Sequence, residues 1–168
     1  QVEDATWQKQ LWTLRGQILA SKPVTLNLFD ANQVEITSVL ANTDGTFVMT
    51  PLPGEYILVA TASGFLSHQD SVSITAGEST QLTAASLLAG DVDGNNVIDA
   101  FDALTIGMSY ASSTPEAADL NNDSVIDFLD LELLAENYRQ TGPTGTSTPL
   151  LELLQKIKPT PIGSPIPG

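Results

Sequence analysis

The sequence contains no cysteine. Disulfides, thiolate nucleophiles and zinc sites built on sulfur are therefore excluded, and the redox compartment stays open. Basic residues are scarce as well, with six Lys and Arg against 20 Asp and Glu and a formal net charge of −14. Such a surface repels nucleic acid and anionic membranes, so cations or proteins with basic faces are the expected partners.

Long apolar runs are also missing. No stretch approaches the roughly 20 apolar residues of a spanning helix, so no membrane insertion is expected. No basic and apolar leader stands at the start, and the first residue is Gln1 rather than Met. We therefore expect a processed product or an excised fragment, from which a secretory signal has been removed.

Catalytic groups are few. The only histidine is His68, and Ser67 stands directly before it. Neighbouring side chains on a strand point to opposite faces, so these two residues do not form a nucleophile and base pair, and His68 is expected to be an ordinary surface or edge residue. We expect no enzyme activity.

Residues 12–88 carry a strand pattern. Seven short runs alternate Thr, Val, Ile and aromatic residues with polar ones, and turn residues such as Thr43-Asp44-Gly45 separate them. This spacing predicts an antiparallel β-sandwich of about seven strands. Residues 1–11 precede it as an N-terminal extension.

Residues 89–140 contain two acidic loops, each followed by an apolar-periodic stretch. DVDGNNVIDAFD starts at Asp91 and DLNNDSVIDFLD at Asp119, both with oxygen-bearing side chains at positions 1, 3, 5, 9 and 12. An EF-hand calcium loop uses these positions together with the backbone carbonyl of position 7. Two calcium ions are thus predicted, with the ligands Asp91, Asp93, Asn95, Val97, Asp99 and Asp102 in the first loop and Asp119, Asn121, Asp123, Val125, Asp127 and Asp130 in the second.

Details of the loops allow further predictions. Position 6, normally Gly, is Asn96 or Ser124 and should have a positive φ, and Ile98 and Ile126 at position 8 should pair across the loops. No Lys or Arg occurs between 91 and 138, so no protein cation is expected to neutralise the carboxylates, and this half should be loose or unfolded without calcium. With five or six protein oxygens per ion, little room remains for substrate, so calcium is expected to be structural.

The segments after the loops are predicted to be helices, which gives a mixed two-domain chain with a β-sandwich followed by a small α-helical EF-hand-like fold. Phe101, Leu104 and Met108 form one apolar stripe and Leu131, Leu134 and Tyr138 another, and we expect the two stripes to pack together. Residues 141–168 form a Pro-rich tail, in which PLLELLQKIK predicts a short amphipathic helix.

The phrase Gly90-Asp91-Val92-Asp93-Gly94, its counterpart at 118–122 and the closing Asp of each loop resemble a dockerin, the duplicated loop-helix module that binds cohesin domains. In that family, loop positions 10 and 11 are associated with partner choice. The corresponding residues are apolar, which is closer to type II than to type I dockerins: Ala100, Phe101, Phe128 and Leu129. They are either core residues under the helices or an exposed anchor patch.

Thr43 to Phe65, TDGTFVMTPLPGEYILVATASGF, resembles a carboxypeptidase-regulatory-like or prealbumin-like sandwich. A sandwich followed by a dockerin is similar to X-module and dockerin pairs, whereas the tail after Gln140 fits neither family. Two hypotheses follow. The chain is a docking module for a cohesin-like partner, or it is a repeating subunit of a surface fibre that lends residues 1–10 or its tail to the sheet edge of the next copy. Millimolar calcium suits such loops, so an extracellular or cell-surface location is expected.

Overall fold

A computed structural model describes residues 12–145. The N-terminal extension, the predicted helix within PLLELLQKIK and most of the Pro-rich tail lie outside the described residues. The strands are β1 Thr13–Leu19, β2 Thr25–Asp30, β3 Glu35–Leu40, β4 Thr46–Met49, β5 Gly54–Thr61, β6 Gly64–Phe65, β7 His68–Ile74, β8 Ser79–Gln81, β9 Ala85–Ser86 and β10 Ala89–Asp91. The helices are α1 Ala100–Met108 and α2 Phe128–Glu136, with a 3-10 turn at Glu116–Ala118 between them.

Two sheets face each other in the first half of the chain. One has the order β4-β1-β8, with β9 also paired to β1, and the other has the order β3-β2-β5-β7. Side chains alternate across each strand, so β2 buries Leu26 and Leu28 while β1 buries Leu14 and Ile18 from the opposite sheet. The core of this half lies between the sheets.

The predicted runs agree with β1 to β5 and β7. The run at 81–88 does not form one continuous strand, because β8 ends at Gln81 and β9 covers only Ala85–Ser86. Both strands pair with β1 in parallel, whereas the sequence predicted antiparallel strands. β6 and β10 were not predicted, because they are too short for an alternating pattern and pair only with each other.

An aspartate caps the N-terminus of each helix. Asp99 accepts a hydrogen bond from Phe101 N, and Asp102 accepts one from Asp99 N, which completes a capping box. Asp127 and Asp130 repeat this arrangement at the start of α2. In residues 12–145, no helix is long and apolar enough to cross a membrane.

The expectation that the two apolar stripes pack together is wrong. On α1, Phe101 is 69% exposed, Leu104 57% and Met108 80%, and the helix buries Asp102 and Ile106 instead. The rotation of the helix is set by Asp102, whose fully buried carboxylate points into the loop. The stripe lies on the opposite side of α1 and therefore faces outward.

The predicted pairing of Ile98 with Ile126 is also wrong. Ile98 N donates to Gln140 O and Ile98 O accepts from Arg139 N, both just after α2. Ile126 makes the same two bonds with Ser112 and Ala111, just after α1: Ile126 N donates to Ser112 O, and Ala111 N donates to Ile126 O. Each loop is thus hydrogen-bonded to the residues that follow the helix of the other repeat. The two repeats are related by a local two-fold symmetry.

The two halves share one hydrophobic core. β10 pairs with β6, and Leu66 N donates to Leu88 O at 2.9 Å. Gly64 has a φ of +84°, and a Cβ at this position would overlap the carbonyl oxygen of Ala117 and lie 2.9 Å from Leu120 Cδ2. Only glycine permits this close approach.

Residues 139–145, here called the clasp, form a second connection between the two halves. Thr141 forms a bridge with Val97, and Gly142 N donates to the carbonyl oxygen of Asn96 at 2.8 Å. Thr144 then pairs in parallel with His68: Gln69 N donates to Thr144 O at 2.7 Å, and Thr144 N donates to Ser67 O at 2.9 Å. The clasp therefore connects the first acidic loop to β7.

Candidate metal centre

The first acidic loop is folded around Asp91, which is 3% exposed. Its two carboxylate oxygens accept hydrogen bonds from Asn95 N at 3.0 Å and Asn96 N at 2.9 Å. Asp93 Oδ1 also accepts from Asn95 N, and the Asn95 side chain accepts from Val97 N. These bonds turn the oxygen-bearing side chains at positions 1, 3 and 5 toward the interior of the loop.

Asp102 closes the loop from α1. Its Oδ1 accepts hydrogen bonds from Val92 N at 2.8 Å and Asp93 N at 3.1 Å, and its Oδ2 accepts from Asp99 N at 2.8 Å. A carboxylate has lone pairs for about four bonds, so the amides leave capacity for a cation. The buried carboxylate thus fixes both the loop and the start of the helix.

The second loop repeats this geometry. Asp119 accepts from Asp123 N at 3.1 Å and Ser124 N at 2.9 Å, as Asp91 does in the first loop. Asp130 is fully buried and accepts from Leu120 N, Asn121 N and Asp127 N. The predicted positive φ at position 6 is confirmed in both loops, with 62° at Asn96 and 73° at Ser124.

The first loop fits a hard cation. One carboxylate oxygen from each of Asp91, Asp93 and Asp102 lies within 4.8 Å of the others. Two oxygens bound to one Ca²⁺ at about 2.3–2.6 Å are separated by at most about 5 Å, so these three can share one ion. Burial raises the pKa of Asp91, and Asp102 and Asp93 raise it further, while the amides of Asn96 and Asn95 act in the opposite direction. The site therefore concentrates negative charge that a cation would stabilise.

Asn96 does more than form the turn, and its second role was missed from the sequence. Its side-chain oxygen accepts hydrogen bonds from Ser67 N at 2.9 Å and Ser67 Oγ at 2.8 Å. Ser124 at the equivalent place in the second loop makes no side-chain hydrogen bond to the sandwich in the described part of the chain. The sequence did offer one signal, since position 6 of the first loop is Asn96 and not the usual Gly. In the structure this residue forms a contact between the two halves.

Substitution of Asn96 with Gly is expected to lower stability, although Gly is the usual residue at this position. Ser67 would lose its acceptor, at a cost of about 1–2 kcal/mol. The matched change Ser124→Gly relieves a positive φ at no such cost and should be neutral or stabilising by up to about 1 kcal/mol. Thermal unfolding in calcium measures both variants. If both variants changed the melting temperature by the same amount in the same direction, the hydrogen bonds of Asn96 with Ser67 would not stabilise the contact between the halves.

Lys22 was also missed. It lies between β1 and β2, its side chain is 1% exposed, and its ammonium donates to the carbonyl oxygen of Glu116 and lies 3.9 Å from Glu116 Oε1. Burial lowers the pKa of Lys22, and the negative charges of Glu116, Asp119 and Asp130 partly offset this. The sandwich therefore places one cation beside the acidic half, at Glu116, which the lack of Lys and Arg between 91 and 138 did not predict. No local pattern could connect residues so far apart in sequence.

His68 is at the start of edge strand β7, and the clasp covers it. Its Nε2 is 2.9 Å from Asp70 Oδ2, and its Nδ1 is 3.1 Å from Thr144 Oγ1. Ser67 Oγ donates to Asn96 rather than to His68. The His68 side chain is buried, so of the two expected positions the surface one is wrong and the edge one is found. Its contact with Thr144 joins the halves.

The four residues at loop positions 10 and 11 are all exposed. Ala100 and Phe101 start α1, and Phe128 at 62% and Leu129 at 49% exposure start α2. Of the two interpretations, the one that places them in the core is wrong. An exposed apolar patch of this kind is typical of a protein-binding surface.

Comparison with known proteins supports this interpretation. Residues 89–138 match the family model of the dockerin type I domain. Two solved structures share the fold of 77% of this chain over 96% of theirs, each at 21% identity: an N-terminal interface mutant (TM-score 0.63) and a C-terminal interface mutant (TM-score 0.62) of a type II cohesin-X-dockerin complex from Acetivibrio cellulolyticus. A search of curated proteins found no match. The helical half is thus similar to dockerin type I domains, and 77% of the chain shares the fold of these two structures.

Proposed function

We propose that this chain is a non-catalytic docking module in which calcium stabilises residues 89–140 so that they bind a cohesin-like domain of another protein. The sandwich of residues 12–88 serves as the supporting X-type module. The observation that carries the proposal is the pair of acidic loops with the same hydrogen bonds, each placing exposed apolar residues at the start of its helix. The dockerin type I match covers the same residues.

The proposal assigns one calcium ion to each loop. The ligands are the predicted ones, with side-chain oxygens at positions 1, 3, 5, 9 and 12 and the carbonyl oxygens of Val97 and Val125. Bound calcium would supply the positive charge that turns the repulsion among these carboxylates into attraction. Asp102 and Asp130 would connect the ion to the helices, because each already holds the first turn of its helix through a backbone amide.

A type II cohesin is the favoured partner class. The exposed residues at loop positions 10 and 11 are apolar, and two solved structures that share this fold are type II complexes. The lack of Lys and Arg between 91 and 138 favours a partner with basic residues around an apolar centre. Such a partner would be reached outside the cell, where calcium is abundant.

Binding can be measured by titration calorimetry with purified type I and type II cohesins. In about 2 mM calcium we expect a one-to-one complex with a type II cohesin, and after chelation we expect none. Lack of binding to any cohesin in calcium would contradict the proposal. Binding that persists unchanged after chelation would contradict the role of calcium.

The fibre hypothesis has less support. It depends on residues 1–10 or the Pro-rich tail, which lie outside the described residues, and the comparisons do not favour it. β3 and β4 do stand at sheet edges, and an edge alone is common in sandwiches. Filaments or ladders formed by the purified chain without any cohesin would favour self-assembly.

A further inference from the structure

The two acidic loops have the same charge, but different chemical groups attach them to the sandwich. Each loop contains four aspartates, and the Asp and Asn of positions 3 and 5 are exchanged between them. In both repeats, the carbonyl three residues before loop position 1 is a point of attachment. In the first repeat, Leu88 O accepts a hydrogen bond from the neutral backbone amide of Leu66 at 2.9 Å. The equivalent carbonyl in the second repeat belongs to Glu116, and it accepts from the ammonium of Lys22.

Lys22 and its neighbour Ser21 hold the backbone on both sides of Asp119, which is position 1 of the second loop. Glu116 O accepts a hydrogen bond from Asp119 N at 3.2 Å as well as from Lys22, so the ammonium and the predicted first ligand share one acceptor. On the other side of Asp119, Ser21 Oγ donates to Leu120 O. The side chain of Lys22 is 1% exposed, so solvent and salt screen its charge from the loop only weakly.

From this difference we propose that Lys22 weakens calcium binding at the second loop, so that the first loop fills at a lower calcium concentration. The proposal rests on the calcium sites of the proposed function. It adds that a residue of the sandwich sets the affinity of one site, although the ligands of the two sites carry equal charge.

The direction of the effect follows from the charges around Lys22. Burial lowers the pKa of Lys22, and the carboxylates of Glu116, Asp119 and Asp130 act in the opposite direction because they attract the ammonium. A calcium ion would bring two positive charges to Asp119 and Asp130, so their attraction for Lys22 would be offset when the ion binds. The affinity for the ion falls accordingly, by about tenfold for charges this close to a protein surface.

Arg139 lies beside the first loop and provides a comparison. Its backbone amide donates to Ile98 O at 2.9 Å. Its side chain is exposed, and its guanidinium lies 5.7 Å from the centre of the Tyr138 ring. Solvent screens an exposed charge much more than a buried one. Of the Lys and Arg residues within 12–145, only Lys22 is buried, so the buried cation is on the side of the second loop.

The order of filling can be measured by NMR, because the backbone amides of Asn96 and Ser124 report calcium binding at one loop each. The full chain is titrated with calcium, and a chelator buffer sets the free concentration. For the unaltered chain we expect the Asn96 signal to reach its midpoint at about tenfold less calcium than the Ser124 signal. Equal midpoints, or a lower midpoint for Ser124, would overturn the proposal without any substitution.

Lys22→Gln removes the charge and keeps a side-chain donor for Glu116 O. It should lower the Ser124 midpoint by about tenfold and leave the Asn96 midpoint within about twofold. Lys22→Arg keeps the charge, and Arg139→Gln removes an exposed one, so both variants should leave the two midpoints within about twofold of the unaltered chain. Melting temperatures in calcium show that the variants fold.

The outcomes separate a charge effect from a structural one and this proposal from the proposed function. If Lys22 only fastened the turn, Lys22→Gln would leave the second loop unchanged or weaken it, and either result overturns the proposal. An equal shift at both loops overturns it too. If neither amide responds to calcium in the unaltered chain, the calcium sites of the proposed function fail, and the inference about Lys22 fails with them.

Discussion

Chelation of calcium is expected to lower the melting temperature of this chain by about 10–20 °C. If both loops bind, a calcium concentration of about 100 times Kd contributes about 2.7 kcal/mol for each site. About 5 kcal/mol in total corresponds to such a fall for a chain of this size. Asp91, Asp102, Asp119 and Asp130 are all buried, and without the ion their negative charges would remain close together with little solvent. Differential scanning calorimetry with and without chelator measures the effect.

The double variant Asp91→Ala with Asp119→Ala should abolish the stabilisation by calcium. Each substitution removes the acceptor of two backbone amides as well as the carboxylate at loop position 1. Glu78→Ala is the control, because Glu78 is an exposed acidic residue of the sandwich and the loss of its charge should leave the calcium effect unchanged. Identical melting curves with and without chelator for the unaltered chain would remove the basis for the calcium sites.

Substitution of Gly64 with Ala is expected to separate the two halves. The added Cβ would have to fit a positive φ, at roughly 1–2 kcal/mol, and would overlap Ala117 and press on Leu120, which adds about 1–3 kcal/mol for overpacking. A loss of about 2–5 kcal/mol should lower the melting temperature by roughly 5–15 °C. Because the clash lies between the halves, we expect this variant to unfold in two thermal transitions and the unaltered chain to unfold in one.

Gly107→Ala is the matched control for this prediction. Gly107 lies inside α1, where nothing is within 4 Å of a new Cβ. Alanine is a better helix former than glycine and should stabilise α1 by about 0.5–1 kcal/mol. Circular dichroism followed during heating distinguishes the variants. If Gly64→Ala melted as the unaltered chain does, the close contact of Gly64 with Ala117 would not hold the halves together.

The loops were predictable because their chemistry is local. Calcium-loop spacing fixes the order of side chains over a dozen residues, so Asp91 to Asp102 and Asp119 to Asp130 could be aligned from the sequence alone. The positive φ at Asn96 and Ser124 followed from the same spacing. Most strands of the sandwich followed from alternation, which is also a local signal.

The orientation of α1 was not predictable from its pattern. Apolar residues at helical spacing show that one face is apolar, and they do not show whether another element covers it. The deciding residue was Asp102, whose buried carboxylate rotates Phe101, Leu104 and Met108 outward. The contacts of Lys22 and Asn96 join residues remote in sequence, and only the folded chain brings them together.

The clasp has a mechanical consequence. Tension applied to the chain beyond Gly145 would first load the hydrogen bonds of Thr144 with Ser67 and Gln69. Thr144 forms a parallel bridge with His68 of β7. A force along β7 would therefore load both hydrogen bonds of Thr144 at the same time and would not break them one after the other. For a pull between the tail and the sandwich, this connection would take the force before helix α2 and the acidic loops do.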